Sequence, residues 1–193
     1  MKEGRLKIRL FGELAFSFDD KVIEVKDKFG KHLVLVLEYL IYHRKQNITK
    51  EKLIENLWAD SLNPVSALKF SIFRLRQLFE EIEPLKGIDC LKTTKTGYAF
   101  NPDCDVWVDI EEADELWKKI NDENVTRSEK SIFLKQIIDL MPQPFLTSST
   151  SQLWTMPVRE YFTHIHNRSV MMFLEDLEID RKYDEIMQVA QLA

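Results

Sequence analysis

KEKLIENLWAD (Lys50–Asp60), SALKFSIFRLRQLF (Ser66–Phe79) and CLKTTKTGYAF (Cys90–Phe100) are the segments that decide how this chain folds. In the first, Leu53, Ile54, Leu57 and Trp58 make one apolar stripe over about Lys50–Trp58, and Thr49 stands where an N-cap hydroxyl is wanted. Pro64 then marks a turn. In the second, Leu68, Ile72, Leu75 and Phe79 recur at i, i+4, i+7 and i+11, so a helix over 65–81 turns them to a core. Its opposite face carries Ser66, Lys69, Phe70, Phe73, Arg74 and Gln77, with Arg76 at the flank. A surface helix does not ordinarily expose two Phe beside cations, so this face is expected to meet something. The third segment reads as a β-hairpin within 88–100, turning at Lys95-Thr96-Gly97, with Gly97 expected to take a backbone conformation that a β-carbon resists.

Upstream, the residues alternate as in a small sheet. Leu6, Ile8 and Leu10 share one side, as do Leu14, Phe16 and Phe18, and Val22 and Val25 bracket a third short run after the turn signal at Asp19-Asp20. A helix from about Lys31 to Arg44 follows, with an apolar surface wide enough to require a central place in the core. The composition is that of a folded chain: 45% hydrophobic and 31% charged residues, with few Gly and Pro, argue against disorder. MKEGRLKIRLFG lacks the apolar run of a signal peptide, and the longest apolar stretch, interrupted by Glu38, is too short to span a bilayer. Cys90 and Cys104 have no second ligand at metal spacing and read as reduced structural thiols of a cytoplasmic protein. Charge is uneven. Residues 1–105 hold 18 Lys plus Arg against 16 Asp plus Glu, and residues 106–193 hold 9 against 16. The front can approach polyanions and the back is suited to protein, although a balance of +2 is weak for a DNA binder.

Helix, turn, helix, hairpin is the order in which a winged helix sets one helix in the DNA major groove and a hairpin on the adjacent backbone. The three quoted segments resemble the OmpR/PhoB-type winged helix, in the version found in SARP-type transcriptional activators; an antiparallel sheet before the first helix also belongs to that type. The R-L-R of Arg74–Arg76 coincides with the family's own, so the resemblance implies a base or deep-groove contact for Arg74 and a phosphate contact for Arg76. A guanidinium suits both, since its planar fork pairs with guanine or phosphate. Thr93, Gly97 and Tyr98 match the family's wing motif T-x-x-x-G-Y, while Thr94 replaces the usual wing Arg and leaves Lys92 and Lys95 as its cations. The DNA-binding set expected on these grounds is Ser66, Lys69, Phe70, Phe73, Arg74, Arg76, Lys92, Thr93 and Lys95. Phe70 can touch a thymine methyl; alternatively Phe70 and Phe73 fill a partner interface or pack against the wing.

A second domain is expected over 106–193, after a winged-helix domain over 1–105. Asp109 with Glu112, and Thr126 with Glu129, read as capping boxes for DIEEADELWKKI and TRSEKSIFLKQIIDL. A long helix pattern runs from near Trp154 to about Lys182, with Val158, Phe162, Ile165, Met172, Phe173 and Leu177 inward. These helix pairs suggest a tetratricopeptide-like array, and DVWVDIEEADELW with the segment from DLMPQPF onward resembles the start of the bacterial transcriptional activator domain. Tyr183–Ala193 reads as the first helix of a repeat. No nucleotide loop, H-E-x-x-H or G-x-S-x-G is present, so no enzyme and no cofactor are expected. The expected class is thus an α+β winged helix-turn-helix with an N-terminal antiparallel sheet, followed by an all-α, tetratricopeptide-like domain. The expected activity is transcriptional activation through sequence-specific DNA binding, with helix 65–81 in the groove and the 88–100 wing on the backbone. Implied partners are duplex DNA, in tandem repeats, and RNA polymerase or another copy of the chain, with no membrane. The alternative is a protein-interaction module that kept the winged-helix fold and lost DNA binding.

Overall fold

The computed structural model describes residues 5–19, 21–23, 26–46, 48–83 and 85–192. The chain forms two compact units, Met1–Ile8 with Leu14–Val106 and Arg9–Glu13 with Trp107–Ala193.

In the first unit, strands β1 (Leu6–Arg9), β2 (Ala15–Phe18) and β3 (Lys21–Ile23) precede any complete helix and lie in the order β3-β2-β1. Leu6, Ile8, Leu10, Leu14, Phe16 and Phe18 are all buried, as alternation requires. The third run departs from expectation: Val22 is 73% exposed and Ile23 is buried. The cause is register, because Ile23 lies opposite the fully buried Phe16 and shares its face. Val25 and Asp20 lie outside the described residues.

Helix α1 (Lys26–Tyr42) is broken at Gly30, whose φ of 70° and ψ of 154° leave regular helix only from Lys31, where the spacing places its start. Its buried run of Val36, Leu37, Tyr39, Leu40 and Ile41 makes it the central helix. Helix α2 (Lys50–Leu57) begins at the predicted cap, where Thr49 Oγ1 accepts from the Lys52 amide at 3.2 Å. Helix α3 (Pro64–Glu81) starts one residue early, since Asn63 caps it and Pro64 fills the first helical position, where a missing N–H is no loss. Leu68, Ile72, Leu75 and Phe79 are buried as predicted, and the Phe79 ring meets Phe16 at 6.3 Å and Phe29 at 5.8 Å. Strands β4 (Leu91–Thr93) and β5 (Tyr98–Phe100) form the hairpin, antiparallel, with Thr93 opposite Tyr98.

The second unit is helical: α4 (Asp109–Ile120), α5 (Arg127–Leu140), α6 (Thr155–Ile179) and α7 (Tyr183–Leu192), each packed on the next. Successive turns of α6 supply Val158, Phe162, Ile165, Val170, Phe173 and Leu177 to its core, with Met172 half-buried. The α5 capping box forms as predicted, Thr126 accepting from the Glu129 amide and Glu129 from the Thr126 amide. The α4 box does not. Asp109 is the first helical residue and almost wholly buried, while Glu112 accepts from the Trp107 indole N–H at 3.2 Å. One Asp109 oxygen takes the amides of Leu10 and Phe11, at 2.8 and 2.9 Å, and the other takes that of Ile110 at 2.8 Å. That carboxylate, with the Phe11 ring 5.1 Å from Phe162 and the Leu146 amide donating to Leu10 O, holds residues 9–13 in the helical unit. Among the described residues no helix is long and apolar enough to cross a membrane.

Candidate nucleic-acid interface

Because α3 turns Leu68, Ser71, Ile72 and Leu75 inward, the residues on its opposite side face outward. Ser66, Lys69, Phe70, Phe73, Arg76 and Gln77 are exposed and Arg74 is half-exposed. Phe70 and Phe73 are 66% and 58% exposed, so neither packs on the wing, which removes one of the two alternatives for them. Arg74 is held along its own helix, Nη1 donating to Gln77 Oε1 at 3.3 Å and lying 3.6 Å from Glu81 Oε1. In solvent these contacts are weak and exchangeable.

Arg76 is placed differently. Its Nη2 donates to the Leu91 carbonyl at 3.1 Å and to Thr93 Oγ1 at 2.9 Å, so it ties α3 to strand β4. Thr93, read from the sequence as a DNA contact, is thereby Arg76's acceptor, and Lys92 is ion-paired with Asp103. Lys69 and Lys95 have no ion-pair partner among the described residues. Arg76→Ala is therefore expected to destabilise the first unit by about 1 kcal/mol, because Leu91 loses a charged donor. Urea unfolding measures this, and an unchanged midpoint would mean that the strap is not formed in solution.

The hairpin turn is closed by the Thr94 amide donating to Gly97 O at 3.0 Å and the Gly97 amide donating to Thr94 Oγ1 at 2.9 Å. Gly97 is needed, but for a different reason from the one its turn position suggests. Its φ is not among the positive ones; instead, a β-carbon there would stand 2.4 Å from Ile48 O. The wing turn thus abuts the start of α2, with the Lys50 amide donating to Thr96 O at 3.1 Å and Lys50 Nζ 5.9 Å over the Tyr98 ring. Lys50 and Thr96 were not singled out from the sequence, because nothing local signals a contact over such a chain distance.

The fold has a counterpart among solved structures. The chain superposes on Mycobacterium tuberculosis EmbR, solved in complex with a low affinity phosphopeptide, with a TM-score of 0.73 over 96% of its own length. The two share a fold. At 18% identity the likeness extends no further, and the chain spans 49% of that protein. No family model and no curated protein matches the sequence. Among the described residues, no group of three His, Cys, Asp or Glu is disposed to hold a metal ion.

Proposed function

We propose that the chain is a SARP-type transcriptional regulator that reads duplex DNA with the outer face of α3 and steadies itself with the β4–β5 wing. The observation that carries this reading is the exposure of Phe70 and Phe73 beside Lys69 and Arg74 on a helix whose other face is fully engaged. Apolar side chains flanked by cations suit a groove that offers thymine methyls between two rows of phosphates. Residues 1–105 are then the DNA-binding domain and residues 106–193 the front of a tetratricopeptide-like activator domain, acidic enough to favour protein contacts with RNA polymerase or a neighbouring copy on tandem sites. A cytoplasmic location follows from this role. Arg74 and Lys69 would reach the groove with Ser66, Phe70 and Phe73, Lys95 the backbone beside it, and Lys92 the same backbone once released from Asp103. Arg76 and Thr93 act by setting the wing's position on α3.

Arg74→Ala tests this assignment. On a site selected from random duplexes it is expected to weaken binding by about 1–3 kcal/mol and to relax preference at one position, with much less effect on a scrambled duplex. Equal losses on both would remove Arg74 from base reading. A second reading, a winged helix that binds protein instead, is favoured by the pairing of Arg74 with Glu81 and Lys92 with Asp103, which leaves few unpaired cations.

A further inference from the structure

Cys90 and Cys104 bracket the wing, one before β4 and one after β5. Asn101 brings them together. Its amide donates to Cys90 O at 2.8 Å, and its own carbonyl accepts from the Cys104 amide at 3.1 Å, so residues 101–104 turn back over the base of the hairpin. The buried Asn101 side chain fixes that turn from both sides, donating to Asp89 O at 2.7 Å and accepting from the Asp103 amide at 3.1 Å. This brings the two thiols within hydrogen-bonding range of each other. The two thiols are not equivalent: Cys90 is buried, whereas Cys104 is partly exposed.

We propose that this pair is an oxidation site for peroxides, with Cys104 the attacking sulfur and Cys90 the resolving one, and that its product is a disulfide across the base of the wing. The electrostatics fit these roles. Hydrogen bonding with Cys90 lowers the Cys104 pKa and the nearby Arg44 charge lowers it further, against burial and the carboxylates of Asp105 and Asp89, while the same interaction and burial keep Cys90 protonated. Cys104 thiolate attacks one oxygen of hydrogen peroxide and breaks the O–O bond. This gives a sulfenic acid and hydroxide, which leaves as water with the thiol's proton. Cys90 then attacks the sulfenic sulfur, expels hydroxide and loses its own proton to it. Two thiols and one peroxide become one disulfide and two waters, the sulfurs supplying both electrons. The bond would tie the two ends of the hairpin together covalently. The effect on DNA binding rests on the function proposed above; the thiol chemistry does not.

The test exposes the full native chain to hydrogen peroxide, blocks residual thiols with iodoacetamide, and maps peptides by mass. The expected product is an intramolecular Cys90–Cys104 cross-link in which both thiols disappear together. In the unoxidised chain Cys104 is expected to be alkylated on the order of tenfold faster than Cys90. In Cys90→Ser, dimedone should capture a sulfenic acid at Cys104. Because the cross-link is read in the unsubstituted chain, a misfolded variant does not spoil the result. Cross-links only between molecules, a Cys104 driven to sulfinic acid with Cys90 untouched, or two inert thiols would each overturn the proposal. Duplex binding by the oxidised chain is a separate readout. No change there, with the cross-link present, would count against the DNA reading of the wing and leave the oxidation site standing.

Discussion

Gly97→Ala is expected to destabilise the chain by about 3 kcal/mol, near the upper end for a single added methyl. The new carbon would lie 2.4 Å from Ile48 O and 3.1 Å from both Lys50 N and Thr49 C. All three are backbone atoms and cannot rotate away, so the wing turn must leave the start of α2. The bond from the Lys50 amide to Thr96 O goes with it. Chemical unfolding gives the loss directly, and under the proposed function duplex affinity should fall as well, because Lys95 moves with the turn. A midpoint shift worth less than about 0.5 kcal/mol, the size of an ordinary surface substitution, would mean that the turn and α2 do not meet as described.

Asp109 carries the second large effect, and its sign is unusual for a carboxylate. Burial raises its pKa from 3.8 to about 6, against the amides of Phe11, Leu10 and Ile110 and the charge of Arg9, which pull it down. The folded chain therefore holds a proton there at pH values where the unfolded chain has released it. Stability is greatest below about pH 4, falls as pH rises through the window from 3.8 to about 6, and is level above. The total is about 3 kcal/mol, at roughly 1.4 kcal/mol per pKa unit. Asp109→Asn cannot titrate, so the difference in unfolding free energy between the unsubstituted chain and this variant should decline by that amount across the window. A difference that grows with pH would show that the three amide donors outweigh burial.

What could be read from the sequence was whatever depends on local periodicity. The α3 stripe of Leu68, Ile72, Leu75 and Phe79, the Thr49 and Thr126 caps and the alternation through Phe16 all follow from neighbours within a turn or two, and each appears in the structure. Features set by distant partners could not be read. Ile23 replaces Val22 in the core because of Phe16 on another strand. Asp109 looks like a helix cap in the sequence, and only the fold reveals that Leu10 and Phe11 are its partners. Arg76 sits outside the core stripe, so its removal looks harmless until the fold brings Leu91 and Thr93 within its reach. The candidate interface divides in the same way. Exposure of Lys69, Phe70, Phe73 and Arg74 follows from helical spacing, whereas the distinction between cations already paired and those still unpaired comes from contacts with Asp103, Glu81 and the wing.

Titration of the chain with random duplex DNA at several salt concentrations puts the proposal that α3 and the wing engage DNA to its most direct test. Each phosphate contact contributes about −0.9 to the slope of log affinity against log salt, so backbone contacts from Lys92 and Lys95 predict binding at low salt with a slope of roughly −2. Absence of binding at low salt, or an affinity that does not change with salt, would contradict the DNA-binding account and leave the exposed Phe70 and Phe73 to a protein partner.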